Sequence, residues 1–258
     1  MATSSYGGGG RYVLRGPSGM SPNMPPGVKW LLIVNTALFV VYFFGIRAGY
    51  GAVFDPFWLS LRWVLDLFAV WQLFSYMFLH DPGGFSHILW NMLALWMFGK
   101  DLEAIWGTRR FLQYYFICGV GAGLCCLAAS ALFGNGLERT IGASGAIYGL
   151  LLAFGVLFPD ATILFSFLFP IKAKYFVMII GAITFMMTLG STGSGVSHVA
   201  HLGGMIWGYL YLKTNLGKMD LFGGAQEWYR RWKLQRARRK FQVYMRKHGD
   251  RDNDRFRH

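Results

Sequence analysis

The side chains equipped for chemistry inside the apolar runs of this sequence are few. His87 and Asn91 lie four residues apart, so a helix presents both on one face. Ser144 sits in the run Gly142-Ala143-Ser144-Gly145, with Tyr148 one turn further on. Ser197, His198 and His201 lead into Gly203, Gly204 and Gly208. An unsatisfied polar group in hydrocarbon costs several kcal/mol, so polar residues in such runs are candidates for function. A serine and a histidine can form a nucleophile and base without a third carboxylate. Either His201 or His198 can serve as that base, since i and i+3 lie on adjoining faces of a helix.

The glycines make such a pair feasible. Gly145 and Gly149 form one small-residue stripe and Gly204 and Gly208 another, and such stripes let two helix backbones approach closely. A short serine side chain needs that approach to reach an imidazole. Ser144 also opens its helix, where unpaired N–H groups and the positive dipole end can stabilise an oxyanion. His87 and Asn91 could donate further hydrogen bonds to the same oxygen.

The elements that must hold these residues follow from composition. Of 258 residues, 54% are hydrophobic and only 14% charged, against about 25% charged in an ordinary soluble domain. A soluble globule has no reason to dilute its charge so far, and disorder needs the opposite balance. The sequence therefore reads as an integral membrane protein. Apolar runs fall near 28–46, 85–99, 111–133, 141–158, 174–190 and 196–212; the first is long enough to cross a bilayer core, and all six are counted as spans. The stretch 57–79, with Arg62, Asp66, Trp58, Trp63, Trp71 and Gln72, reads instead as an interfacial, partly embedded amphipathic loop. Residues 1–27 form a flexible Gly, Ser and Pro-rich lead-in, and the run after it reads as an uncleaved signal anchor.

Charge orients the spans. With six of them both ends share one side, and that side holds 22 of the 25 Lys and Arg, leaving Arg47, Arg62 and Arg139 opposite. Positive loops resist translocation, so both termini are expected in the cytoplasm. The net charge of +13 comes largely from the tail, 217–258, which has helical composition and whose nearest anionic partner is the lipid headgroup layer rather than nucleic acid. Carboxylates are expected only in loops, at span ends and in the tail, which lowers a proton- or cation-coupled transporter and excludes a buried Ser-His-Asp triad. Cys118, Cys125 and Cys126 share an apolar stretch without ligand-like neighbours and read as small hydrophobes. His80, ahead of Asp81-Pro82-Gly83-Gly84, reads as a loop residue that structures a bend.

From about Trp71 to Gly208 the sequence resembles the rhomboid family of intramembrane serine proteases. The resemblance rests on His87-x-x-x-Asn91, on the run LWMFGKDLEAIWGTRRFLQYYF from Leu95, on Gly142-Ala143-Ser144-Gly145, and on Ala200-His201-x-x-Gly204-x-x-x-Gly208, in that order. It implies an all-α, six-helix membrane bundle over 28–216 with a membrane-embedded first loop. It further implies Ser144 as nucleophile and His201 as general base, with His87, Asn91 and the Ser144 amide as the oxyanion hole. Tyr148 would pack on the His201 ring, and Gly142, Gly145 and Gly204 would support the site. The fifth span and the 190–197 loop would form a substrate gate and cap.

The function so implied is hydrolysis of peptide bonds in or beside the membrane segments of other proteins, with no cofactor and no metal. Transmembrane protein substrates are the expected partners; the sequence does not fix an oligomeric state. The active site is expected on the extracytoplasmic face. Compactness and the lack of a transit-peptide pattern point to a bacterial inner membrane. The alternative is a catalytically inactive relative that binds or chaperones membrane proteins, against which the retention of both Ser144 and His201 argues.

Overall fold

Apolar runs become helices here because a chain without water to satisfy its backbone must satisfy it internally. The computed structural model describes residues 24–134, 138–165, 169–190, 196–214 and 232–236. Helix α1 is Pro26–Arg47, with proline at its first position, where the missing N–H costs nothing. Two short helices, α2 (Leu61–Asp66) and α3 (Gln72–Ser75), follow in the segment before α4 (Ser86–Phe133). Then come α5 (Ser144–Leu157), α6 (Ala173–Gly190) and α7 (Val196–Lys213). Among the described residues, α1 and α4 are long and apolar enough to cross a membrane, and α5 and most of α6 are shorter apolar helices.

Three expectations change. The connection expected near 100–110 is helical, broken only at Gly107, whose φ of 75° and ψ of 157° are not helical. Gly107 turns the chain back on itself. A Cβ on Gly99 would lie 3.3 Å from the Phe111 ring, although twelve residues of straight helix would span about 18 Å. Glu103, expected in that connection, is instead a buried carboxylate inside α4. It accepts the Gly27 and Val28 amides at 2.7 Å each and the Thr108 hydroxyl at 2.6 Å. It thereby caps the start of α1, which has no side-chain cap of its own. The third change is a β-hairpin between α5 and α6, so the fold is mostly helical rather than purely so. Strands β1 (Thr162–Phe165) and β2 (Phe169–Lys172) pair antiparallel, with Thr162 opposite Lys172 and Phe165 opposite Phe169. Asp160 beside it is paired with Lys172 and Lys174 at 3.2 and 3.0 Å, and the two ammonium groups hold its carboxyl below the usual range.

The segment expected to be interfacial is a loop of short helices and turns. Arg62 and Asp66 form the i,i+4 pair expected of a polar helix face, at 3.4 Å. Buried Gln72 stitches the loop internally, accepting the Ser60 amide and donating to the Pro56 carbonyl. An isolated bridge joins Leu59 to Thr140 with two backbone hydrogen bonds of 3.0 and 2.9 Å. The core lies where α4, α5 and α7 meet, around Tyr114, Cys118, Ala122, Ala146, Leu150 and Ala200. The head 1–23, the 191–195 part of the cap loop, and the tail apart from a helical 232–236 lie outside the described residues.

Candidate active site

Glycine decides where Ser144 stands. A Cβ on Gly204 of α7 would overlap the Gly145 carbonyl of α5, so the two backbones are in direct contact. Gly149 touches the Gly204 carbonyl and Cys118, and Gly208 touches Gly149. The Tyr114 hydroxyl of α4 donates to the Gly149 carbonyl at 2.7 Å and ties the third helix into the same seam. Across it the Ser144 Oγ stands 2.8 Å from His201 Nε2. The reactive form of this contact has the hydroxyl donating to the ring nitrogen.

His201 is held as well as placed. The Tyr148 ring stacks on it with centroids 4.1 Å apart and planes within 4°. His198 meets the His201 ring edge-on at 6.1 Å. Of the two histidines that spacing allowed as base, His201 is the one in contact with Ser144. Cys118 and Cys126 are buried in apolar packing.

On the other side of Ser144 the chain arrives through a strained turn. Gly142 has a φ of 121°, which only glycine adopts without cost, and donates its amide to the Tyr76 carbonyl at 2.9 Å. A Cβ there would also stand 3.0 Å from Cε1 and Nε2 of His87, so that edge of the imidazole faces the turn closely. The His87 Nδ1 accepts the Asp81 backbone amide at 3.3 Å. Asn91 is nearly buried, and its amide nitrogen donates one N–H to the His87 carbonyl at 3.0 Å, leaving the second for another acceptor. The Ser144 amide opens α5, and the first turn of a helix has no internal acceptors for its amides.

These groups surround one cavity of about 330 Å³, whose lining includes His87, Asn91, Gly142, Ser144, Tyr148 and His201. Gly145 and Gly204 lie in the packed seam behind it. The structure therefore brings together every residue expected at the site from sequence. It adds Tyr76, Thr140 and Trp90 to the wall. Spacing gave no signal for Tyr76 and Thr140, which reach the cavity through the long-range pairing of the segment before α4 with 139–142, whereas Trp90 follows His87 at i+3 on the same helix.

Comparison with known proteins agrees with this architecture. Residues 68–217 match the Rhomboid domain family, which is more than half of the chain. The chain is 35% identical over 133 residues to the mitochondrial Rhomboid protein 1 of Saccharomyces cerevisiae, covering 49% of this chain and 37% of that one. It is 32% identical over 154 residues to the Rhomboid protease GluP of Bacillus subtilis, covering 59% and 28%. RHOMBOID-like protein 1 of Arabidopsis thaliana is 35% identical over 153 residues, covering 59% and 36%. In each case the match spans well under half of the relative's length. The chain belongs to the rhomboid family and is an integral membrane protein.

Proposed function

We propose that this protein is an intramembrane serine endopeptidase that cleaves peptide bonds in or next to transmembrane segments of other proteins. The observation that carries the reading is the 2.8 Å contact between Ser144 Oγ and His201 Nε2 inside a cavity also lined by His87 and Asn91. Family membership supports the same class of chemistry.

The Ser144 oxygen attacks the scissile carbonyl carbon while its proton passes to His201 Nε2. The carbonyl oxygen gains negative charge and is met by the Ser144 amide, the His87 ring and the free N–H of Asn91. The tetrahedral intermediate collapses, the C–N bond breaks, and His201 gives its proton to the leaving amine. Water then adds to the acyl-enzyme with His201 as base, releasing a carboxylic acid and restoring the Ser144 hydroxyl. Tyr148 keeps the imidazole in one plane throughout.

The two limbs of α4 on either side of Gly107 count as two crossings in this reading, giving six spans with α1, α5, α6 and α7. Both termini lie in the cytoplasm and the cavity opens on the opposite face. The basic tail, in the same reading, rests on anionic headgroups.

Fluorophosphonate labelling of the wild type, Ser144→Ala and His201→Ala in bilayers tests the dyad. Labelling is expected only where both residues are present, accompanied by cleavage of a transmembrane substrate. Asn91→Ala should retain a remnant, since one oxyanion donor is worth about 10²–10³ in rate. Labelling of Ser144→Ala equal to wild type would overturn the nucleophile.

A further inference from the structure

His87 can help an oxyanion only if the nitrogen facing the cavity carries a proton. A neutral imidazole has one N–H and one lone pair, so which nitrogen is protonated decides whether the ring attracts or repels a developing negative charge. The local bend supplies the choice. The backbone amide of Asp81 points at Nδ1 from 3.3 Å, and an amide can only donate. Nδ1 must therefore present its lone pair, which places the proton on Nε2. Nε2 is on the edge turned toward Gly142, two residues before Ser144.

The Asp81 amide is itself held. Its side-chain Oδ1 accepts the Gly83 amide at 2.8 Å, an Asx turn that fixes the backbone of the bend. The buried His80 ring packs 5.2 Å from that of His87.

We propose that Asp81 is a positioning residue that sets the His87 tautomer: its side chain closes the turn, its amide occupies Nδ1, and the Nε2–H is thereby aimed into the cavity. This rests on the protease reading above but concerns a property of His87 that exists with or without substrate. What the turn needs from this side chain is a hydrogen-bond acceptor for the Gly83 amide, so asparagine should replace it in setting the tautomer and alanine should not.

The test is the imidazole ¹⁵N spectrum of the full-length protein at about pH 8, where an ordinary histidine is neutral, with the His87 signals identified by their loss in His87→Ala. Wild type and Asp81→Asn should show a protonated Nε2 and an unprotonated Nδ1, whereas Asp81→Ala should show a mixture. In turnover, Asp81→Ala should lower kcat on the order of tenfold to a hundredfold with KM unchanged, short of the full loss of an oxyanion donor. Asp81→Asn should restore it. A protonated Nδ1 in the wild type overturns the proposal without any variant, and so does an Asp81→Asn variant that behaves like Asp81→Ala. If Ser144 resists fluorophosphonate while the Nε2–H tautomer is found, the protease reading fails and this one stands; active Ser144 with the reverse tautomer is the opposite result.

Discussion

Two walls meet at Ser144, and different forces build them. Toward α7 the wall is steric: glycines on both helices bring backbone against backbone, and no side chain stands between Gly145 and Gly204. Toward the loop that precedes α4 the wall is polar. The Leu59–Thr140 bridge, the Gly142 amide on the Tyr76 carbonyl, the Arg139–Asp55 contact at 3.3 Å and the Arg139 guanidinium over Trp58 form a chain of directional contacts. The steric wall fixes how far Ser144 is from His201 and accepts no added atom. The polar wall fixes how the His87 ring and the turn at Gly142 face the cavity, and it accepts any group that reproduces the same hydrogen bond.

That contrast is broken most directly at Gly204. In Gly204→Ala the new methyl meets a backbone carbonyl that cannot rotate away, so α5 and α7 must separate. Overpacking of this kind costs about 1–3 kcal/mol or more. A displacement near 1 Å at the reacting groups lowers rate about a hundredfold. Labelling rate and thermal melting should fall together; near-normal labelling would show that the seam does not set the dyad distance.

Gly142→Ala strikes the junction of the two walls. The left-handed backbone makes alanine costly by about 1–3 kcal/mol, and its methyl presses on the His87 ring. Cleavage should drop more than melting temperature does, because the damage falls on the His87 side, proposed to hold the oxyanion, while the Ser144–His201 contact is kept.

The polar wall should also feel acid. Burial holds the imidazole of His80 down to about 3, against about 6.5 in an unfolded chain. Between these values the unfolded state carries the extra proton. Stability is therefore complete above about pH 6.5 and declines toward pH 3, by up to about 1.4 kcal/mol per pH unit. Melting curves across this window should flatten in His80→Asn; an unchanged slope would assign the acid sensitivity elsewhere.

Arg139→Ala should do least. Its ion pair with Asp55 is substantially exposed, so the loss should be about 0.2–1 kcal/mol and should shrink further in salt. A large effect on cleavage with unchanged melting would mean that the outer latch, and not the backbone bridge beneath it, carries the alignment.

Much of the site was legible in the sequence because its groups sit at helical spacing on apolar helices. His87 with Asn91, and Ser144 with Tyr148, follow from the period of a helix, and the glycine stripes mark the surfaces that must touch. What was not legible depends on one residue's backbone or on partners far apart in the chain. Gly107 reverses a helix that composition alone would divide by a loop. The hairpin at 162–172 lies between apolar spans and carries no alternating pattern. Spacing allowed both His198 and His201, and only the approach of α5 to α7 separates them. Glu103 looked like a loop carboxylate because its reason for being buried, the bare amides of α1, lies some 75 residues earlier.

That last distance has a meaning for assembly. A chain grows at about 5–20 residues per second, so the amides of Gly27 and Val28 are synthesised roughly 4–15 s before the carboxylate that satisfies them. Until Glu103 arrives and Gly107 turns the chain back, the start of α1 must be satisfied by water or lipid headgroups. The start of the first described helix is thus finished only once 103–108 has been made, and a fault in that turn would be felt at residues about 75 positions earlier.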